Sequence, residues 1–266
     1  MSATGAQSPL ELRLVDGLYE LELRAPPVNE IGLPMLEALE RALDEIDPAE
    51  GRALVIYSSL GSGFCAGADL RALYQGMLAT PDLEERKRRV ADFIDRIHVV
   101  MNRLDALPLT TVAAIHGACF GGGFELALTC DVLVADKTAR FCFPELRLGI
   151  VPGFGGIPRL KREVGNGVVR DLLLTGRSMN AKRAQNIGLV SQLVAQGKQL
   201  DAARGTARQA LRFDRDAAET CKAFIKPIPF AELEAEKEHF KRLSVRPVVL
   251  DALKKFVEST DVRPYL

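Results

Sequence analysis

Many signatures are missing from this 266-residue chain. It has no excess of either charge, because 35 lysines and arginines stand against 35 aspartates and glutamates. Nucleic acid and anionic membranes are therefore not expected as its main partners. The run ERKRRVADFIDR from Glu85 mixes both signs and reads as a solvated helix face. No uninterrupted apolar stretch approaches the length of a membrane span. The opening MSATGAQSPL lacks a positive n-region and an apolar h-region, so a secretory leader is not expected and a cytoplasmic location is. The five cysteines, Cys65, Cys119, Cys130, Cys142 and Cys221, form no CxxC pair and are odd in number. Reduced and mostly buried thiols follow, in preference to disulfides or zinc. His98, His116 and His239 share no ligand spacing, and neither a GxSxG nor a metal motif occurs. A Walker loop and a strict GxGxxG are absent too.

What is present is a chain that can bury a core. Apolar residues make up 47% of it, and the length suits one sizeable domain with an appendage. LELRLVDGLYELEL alternates leucines with charges around Asp16-Gly17, which predicts a hairpin with a type I′ turn and one wet face. Residues 33–46 carry helical spacing, RALVIYSS from Arg52 reads as a buried strand, and GSGFCAGADL from Gly61 as a small-residue loop. A long helix is predicted over about 82–104, then a strand in TVAAIHG, a helix in FELALTC, and strands in DVLVAD and ARFCFPE. This alternation indicates an α/β class. GIVPGFGGIPRL reads as a loop opening a helix, with Pro158 tolerable near its start. From Asp201 three helical patterns follow in series, so an α/β core over 1–199 and a helical region over 200–266 are expected.

The chemistry concentrates in GACFGGGFELAL, Gly117 to Leu128. Three bare glycines between a strand and a helix read either as a packing turn or as a place where a ligand meets the backbone. At a helix start, exposed N–H groups can hold a developing oxyanion. Such a hole usually takes two donors, and the loop Cys65 to Leu70 is the candidate for the second. Glu125, just past the triplet, and Glu145, after Pro144, read either as helix-start charges or as acid/base groups. Phe141, Phe143 and Leu146 surround Glu145 in sequence, an apolar setting that would raise its proton affinity.

GFCAGADL, IHGACFGGGFELALTCD, FCFPELRLGIVPGFGGIPRL and LLLTGRSMNAKRAQNIGLVSQLV resemble, in order and spacing, the crotonase or enoyl-CoA hydratase/isomerase superfamily. The resemblance covers nearly the whole chain. It implies a spiral of ββα units and a C-terminal helical region that builds a homotrimer or hexamer. It implies that Ala68 and Gly122 are the two oxyanion donors. It places Ala66 and the run Ala68-Asp69-Leu70-Arg71 at the edge of the CoA site. It implies that Glu125 and Glu145 are the catalytic pair that hydrates a 2-enoyl-CoA, or dehydrates its product, within fatty acid metabolism. No cofactor or metal is implied beyond the CoA carried by the substrate. A double-bond isomerase using chiefly Glu145, or a non-catalytic CoA-binding protein, are the alternatives. Ile157 and Pro158 depart from the family's polar residues and are expected to reshape the acyl end, and Glu30 is placed to face the CoA or the acyl chain.

Overall fold

The computed structural model describes residues 8–259, so the reading of the first seven residues as part of a non-leader lies outside it. The chain opens with β1 (Leu10–Val15) and β2 (Leu18–Leu23), paired antiparallel. Asp16 and Gly17 both have positive φ, 51° and 77°, as a type I′ turn requires. The expected wet face is largely absent from β2. It lies inside the sheet, and its Glu20 is buried against Arg204 at 2.6 and 2.8 Å.

Helix α1 (Leu33–Glu45) follows and buries Met35, Leu36, Leu39 and Leu43, the face its spacing of three and four predicts. The chain then turns as a spiral, and each turn gives one strand to each of two sheets. The first turn is β3 (Ala53–Ser58), β4 (Gly63–Cys65), then α2 (Leu70–Ala79) and α3 (Leu83–Asp105). The second is β5 (Thr110–Ile115), β6 (Ala118–Phe120) and α4 (Gly122–Ala127). The third is β7 (Val132–Asp136), β8 (Arg140–Cys142), a 3-10 turn Glu145–Leu148, α5 (Gly156–Glu163) and α6 (Asn166–Thr175). After β9 (Met179–Asn180) and α7 (Ala181–Asn186), β10 (Gln192–Val194) closes the larger sheet. That sheet runs β1-β2-β3-β5-β7-β10 and the smaller one β4-β6-β8-β9. Within each, only the outer pairs β1-β2 and β8-β9 are antiparallel.

Four helices complete the described chain, α8 (Gln199–Ala210), α9 (Arg215–Ile225), α10 (Phe230–Ser244) and α11 (Pro247–Glu258). Sequence periodicity marks three of them and passes over α9, none of whose residues is buried. All four return to the α/β part. Ala203 and Ala207 of α8 cover the face of the large sheet formed by Val55, Val112 and Val134. Lys222 of α9 and Lys226, which follows its last residue, reach Asp131 at 2.8 and 2.7 Å. Helix α10 lies against α3 and α5, and α11 against α2 and the 3-10 turn. Phe240 and Leu253 are buried in this packing, whereas Phe224 is 83% exposed and Phe230 62%. Cys65, Cys119, Cys130 and Cys142 are buried and Cys221 exposed, all as free thiols.

Candidate active site

The glycine triplet lies where the small sheet ends and α4 begins, and each glycine has its own steric reason. Gly121 has φ +47°, and a Cβ there would stand 2.6 Å from Glu145 Oε1. A Cβ on Gly122 would meet the Phe154 ring at 2.5 Å, and one on Gly123 the Cys65 carbonyl oxygen at 2.3 Å. Packing and access therefore coincide in this stretch. The Cys65–Leu70 loop runs alongside. A Cβ on Gly67 would lie 3.2 Å from Gly122 N, and one on Gly122 only 3.5 Å from Ala68 N. The two amides are close neighbours. Among the described residues' hydrogen bonds neither Ala68 N nor Gly122 N donates to the chain itself, although the flanking amides of Asp69 and Gly121 do.

These amides border a cavity of about 50 Å³, also lined by Ala66, Leu70, Glu125 and Glu145. Of the residues expected at the edge of the CoA site, Asp69 and Arg71 do not line this cavity. Asp69 Oδ1 caps α2 by accepting Ala72 N at 2.8 Å, and its residue borders the adjoining apolar chamber. Arg71 is exposed, with Nη1 3.4 Å from the Val257 carbonyl oxygen on α11. Half-buried Glu30 precedes Ile31, which pairs with Ala68. Burial, and then the charge of Asp69, push the Glu30 carboxyl up.

Glu125 stands in the first turn of α4, buried. Its Oε1 accepts the N–H groups of Phe154 and Gly156, each at 2.8 Å. Burial pushes its carboxyl up to about 7, while the two amides and Arg159 pull the other way. Glu145 opens the 3-10 turn after Pro144, rather than ending a strand. Burial holds its carboxyl well above the usual range, and the charge of Glu125 adds to this. Its Oε2 has no hydrogen-bond partner among the described residues. Phe124, next to Glu125 in the chain, packs on Phe141 and Phe143, with ring centroids 5.2 and 4.7 Å apart. Leu146 is 44% exposed and takes no part, because the 3-10 turn rotates it outward. Two buried carboxyls with high proton affinity thus face one small cavity beside two unpaired amides. That arrangement can give a proton, take a proton and hold an anion.

A larger chamber of about 220 Å³ adjoins the cavity and shares Ala68, Leu73, Phe154 and Phe240 with it. It opens between α2, α3 and α10, and its wall is almost wholly apolar, including Met77, Val90, Phe93 and Ile94. Ile157 and Pro158, expected at the acyl end, line neither space, because both lie on the first turn of α5 behind the Phe154 loop.

Several site residues escaped sequence reasoning. Phe154 and Phe240 wall both spaces. Arg159 is wholly buried, and its guanidinium donates to Asp105 at 2.8 Å, to Asn102 at 2.7 Å and to the Phe154 carbonyl at 3.0 Å. Glu236 on α10 is 6% exposed. The available signal was its spacing: it lies between Leu233 and Phe240 on the buried face of that helix. His116 is structural, with Nε2 2.7 Å from the Leu60 carbonyl oxygen. Among the described residues no His, Cys, Asp and Glu group could hold a metal ion.

The model of the enoyl-CoA hydratase/isomerase family matches residues 14–261. A Mycobacterium tuberculosis protein named "Probable enoyl-CoA hydratase echA8" is 35% identical over 75% of this chain and 73% of its own. Human mitochondrial methylglutaconyl-CoA hydratase is 34% identical over 73% of this chain and 54% of its own. The crystal structure of an enoyl-CoA hydratase from Bacillus anthracis superposes with a TM-score of 0.75 at 28% identity, covering 94% of this chain and 96% of that one. The chain belongs to the enoyl-CoA hydratase/isomerase family and is an enzyme of that class.

Proposed function

We propose that the enzyme adds water across the double bond of a 2-enoyl-CoA thioester, or removes it in the reverse direction. The observation that carries this reading is the convergence of Glu125 and Glu145 on one cavity beside the free amides of Ala68 and Gly122. The thioester oxygen accepts from those two amides, which stabilise the enolate as it forms. Ionised Glu125 takes a proton from water as its oxygen bonds to C3, and the C2–C3 π electrons move toward the thioester. Protonated Glu145 then delivers its proton to C2. The negative charge passes from Glu125 to Glu145 in each forward turnover, and the protons return to their starting places before the next. Isomerisation needs only one shuttling carboxylate, so two carboxyls at the cavity support hydration. The reaction draws on no cofactor beyond the CoA of the substrate. We place Ala66 and the Ala68–Arg71 run beside the CoA and the enzyme in the cytoplasm. No helix among the described residues is long and apolar enough to cross a membrane.

The apolar chamber supports a substrate with an uncharged acyl chain. The two cations at its edge already have partners among the described residues: Arg86 is turned to the Thr80 carbonyl at 3.0 and 3.2 Å, and Arg89 pairs with Glu85 at 2.9 Å, which disfavours a second carboxylate on the acyl chain. At about 220 Å³ the chamber has room for an acyl chain of several carbons. Loss of the ultraviolet absorbance of the conjugated thioester tests both points. Crotonyl-CoA should be hydrated, and kcat/KM should rise on the order of 10²-fold from four to eight carbons, at about 0.8 kcal/mol per buried methylene. Absence of turnover with every 2-enoyl-CoA would end the hydratase reading, and a flat chain-length profile would end the chamber's role.

Exposed Phe224, Ile225 and Phe230, at 83%, 74% and 62%, cluster at the α9–α10 junction and support assembly into a homotrimer or hexamer. Light scattering at low micromolar concentration should show no stable active monomer.

A further inference from the structure

Helix α10 brings a third buried carboxyl to the catalytic loop. Glu236 Oε2 accepts Ile157 N at 2.8 Å. Its Oε1 has no hydrogen-bond partner among the described residues. Leaving a buried carboxyl oxygen unpaired is costly. A helix start that only needed an acceptor could be capped by a serine or asparagine.

The position of Glu236 suggests why a long carboxyl is used. The stretch from Gly153 to Ile157 supplies N–H groups to two acids at once. Phe154 N and Gly156 N donate to Glu125, and the next amide, Ile157 N, donates to Glu236. The same stretch carries the Phe154 ring that meets Gly122. On its other side Phe240, from the same helix as Glu236, presses on Gly153, where a Cβ would lie 2.3 Å from its ring. The loop is therefore clamped between α4 and α10.

The other charged groups around Glu236 have partners of their own. Arg159 of α5 is held by Asp105, Asn102 and two loop carbonyls. Lys161 of α5 pairs with Glu232 of α10. Lys237 of α10 pairs with Asp95 of α3 and with Glu234. His98 of α3 faces the Gly153 carbonyl oxygen at 2.9 Å, and burial pushes its imidazole down to about 4. Glu125 of α4 and Glu145 of the 3-10 turn complete the surroundings. Burial, and then the charge of Glu125, hold the Glu236 carboxyl well above its usual range. The same packing that favours its uncharged form leaves Oε2 as the acceptor of Ile157 N.

We infer that Glu236 is a positioning residue for the acid/base pair: by holding Ile157 N it fixes the loop whose Phe154 and Gly156 amides aim Glu125 at the cavity. The helical region after Gln199 thus completes the active site of its own chain. This rests on Glu125 being the base in the proposed hydration. Without the anchor, the two amides no longer favour the ionised form of Glu125, so its proton affinity rises.

The test uses Glu236→Met, which fills the space without a comparable acceptor, and Glu236→Gln, which keeps an uncharged acceptor oxygen. In the methionine variant kcat should fall about 10- to 100-fold with KM nearly constant, and the acid limb of the kcat profile should move up by about one pH unit. The glutamine variant should restore most of both. In a double-mutant cycle the methionine effect on kcat should largely vanish in a Glu125→Gln background. Glu236→Asp, which withdraws the acid by one methylene, carries the same test if the methionine variant does not fold. A folded methionine variant with wild-type kcat and acid limb overturns the inference, as does a glutamine variant no better than methionine. Wild-type protein that hydrates no 2-enoyl-CoA would instead overturn the reading of Glu125.

Discussion

Glu145→Gln should lose on the order of 10²–10⁴ in turnover, the range for a positioned proton donor, while the fold and CoA binding persist. Glutamine matches the volume of Glu145 and the uncharged form that burial and the Glu125 charge favour. The substitution therefore removes the proton and little else. Circular dichroism and a CoA-binding measurement check that the protein is intact, and the ultraviolet assay reads the chemistry. The wild-type pH profile belongs to the same prediction. Glu125 must be ionised and its carboxyl is pushed up to about 7, so activity should rise with pH through that region. Glu145 must be protonated and lies well above the usual range, so the fall should come at higher pH. Because the two carboxyls interact, the limbs report the pair rather than single residues. Near-normal hydration by Glu145→Gln would remove the two-carboxyl mechanism.

Asp105→Asn should be the most destabilising of the polar changes. Asp105 closes α3 and is buried beneath three cations: Arg159 at 2.8 Å, Lys226 at 3.0 Å and Arg162 at 3.1 Å. Its removal leaves buried cations without their anion, which typically costs about 3–5 kcal/mol. The cluster joins α3, α5 and α9, so the loss should loosen α9 and the loop behind Glu125 together. Burial alone would raise the Asp105 carboxyl, but Lys226, Arg159 and Arg162 over-compensate and hold it below its usual value. A carboxyl lowered on folding stabilises fully above its unfolded pKa. Its contribution is lost as pH falls through the folded value. Chemical denaturation should therefore show the Asn penalty at pH 7 and a much smaller one in strong acid. An equal penalty at both pH values, or one below about 1 kcal/mol at pH 7, would remove the ionic account. Glu125 works with the opposite sign. Its folded carboxyl is raised, so it costs stability as pH rises from the ordinary glutamate range toward about 7.

The sequence by itself determined the local elements that are long or chemically explicit. Asp16-Gly17 dictated its turn because both residues accept positive φ. The apolar spacing in α1 and α3 dictated those helices, because both bury one face along their length. The motif order was enough for the family, and it marked the triplet, Glu125 and Glu145. Strands β4, β6 and β9 were not legible, since two or three residues cannot express a period of two. Helix α9 buries no residue and so carried little core pattern. Only the tertiary structure decided which sheet each strand joins, and hence that the chain spirals instead of winding one open sheet. It also decided that Leu146 turns outward, that Ile157 lies behind the loop, and that Glu236 reaches the loop beside Glu125 from 111 residues further along the chain. These outcomes depend on contacts between distant segments, and no local spacing encodes the direction in which a side chain leaves a turn or a helix. The proton affinities have the same origin. A glutamate in a sequence is an ordinary acid, and only the burial imposed by packing raises Glu125, Glu145 and Glu236 together.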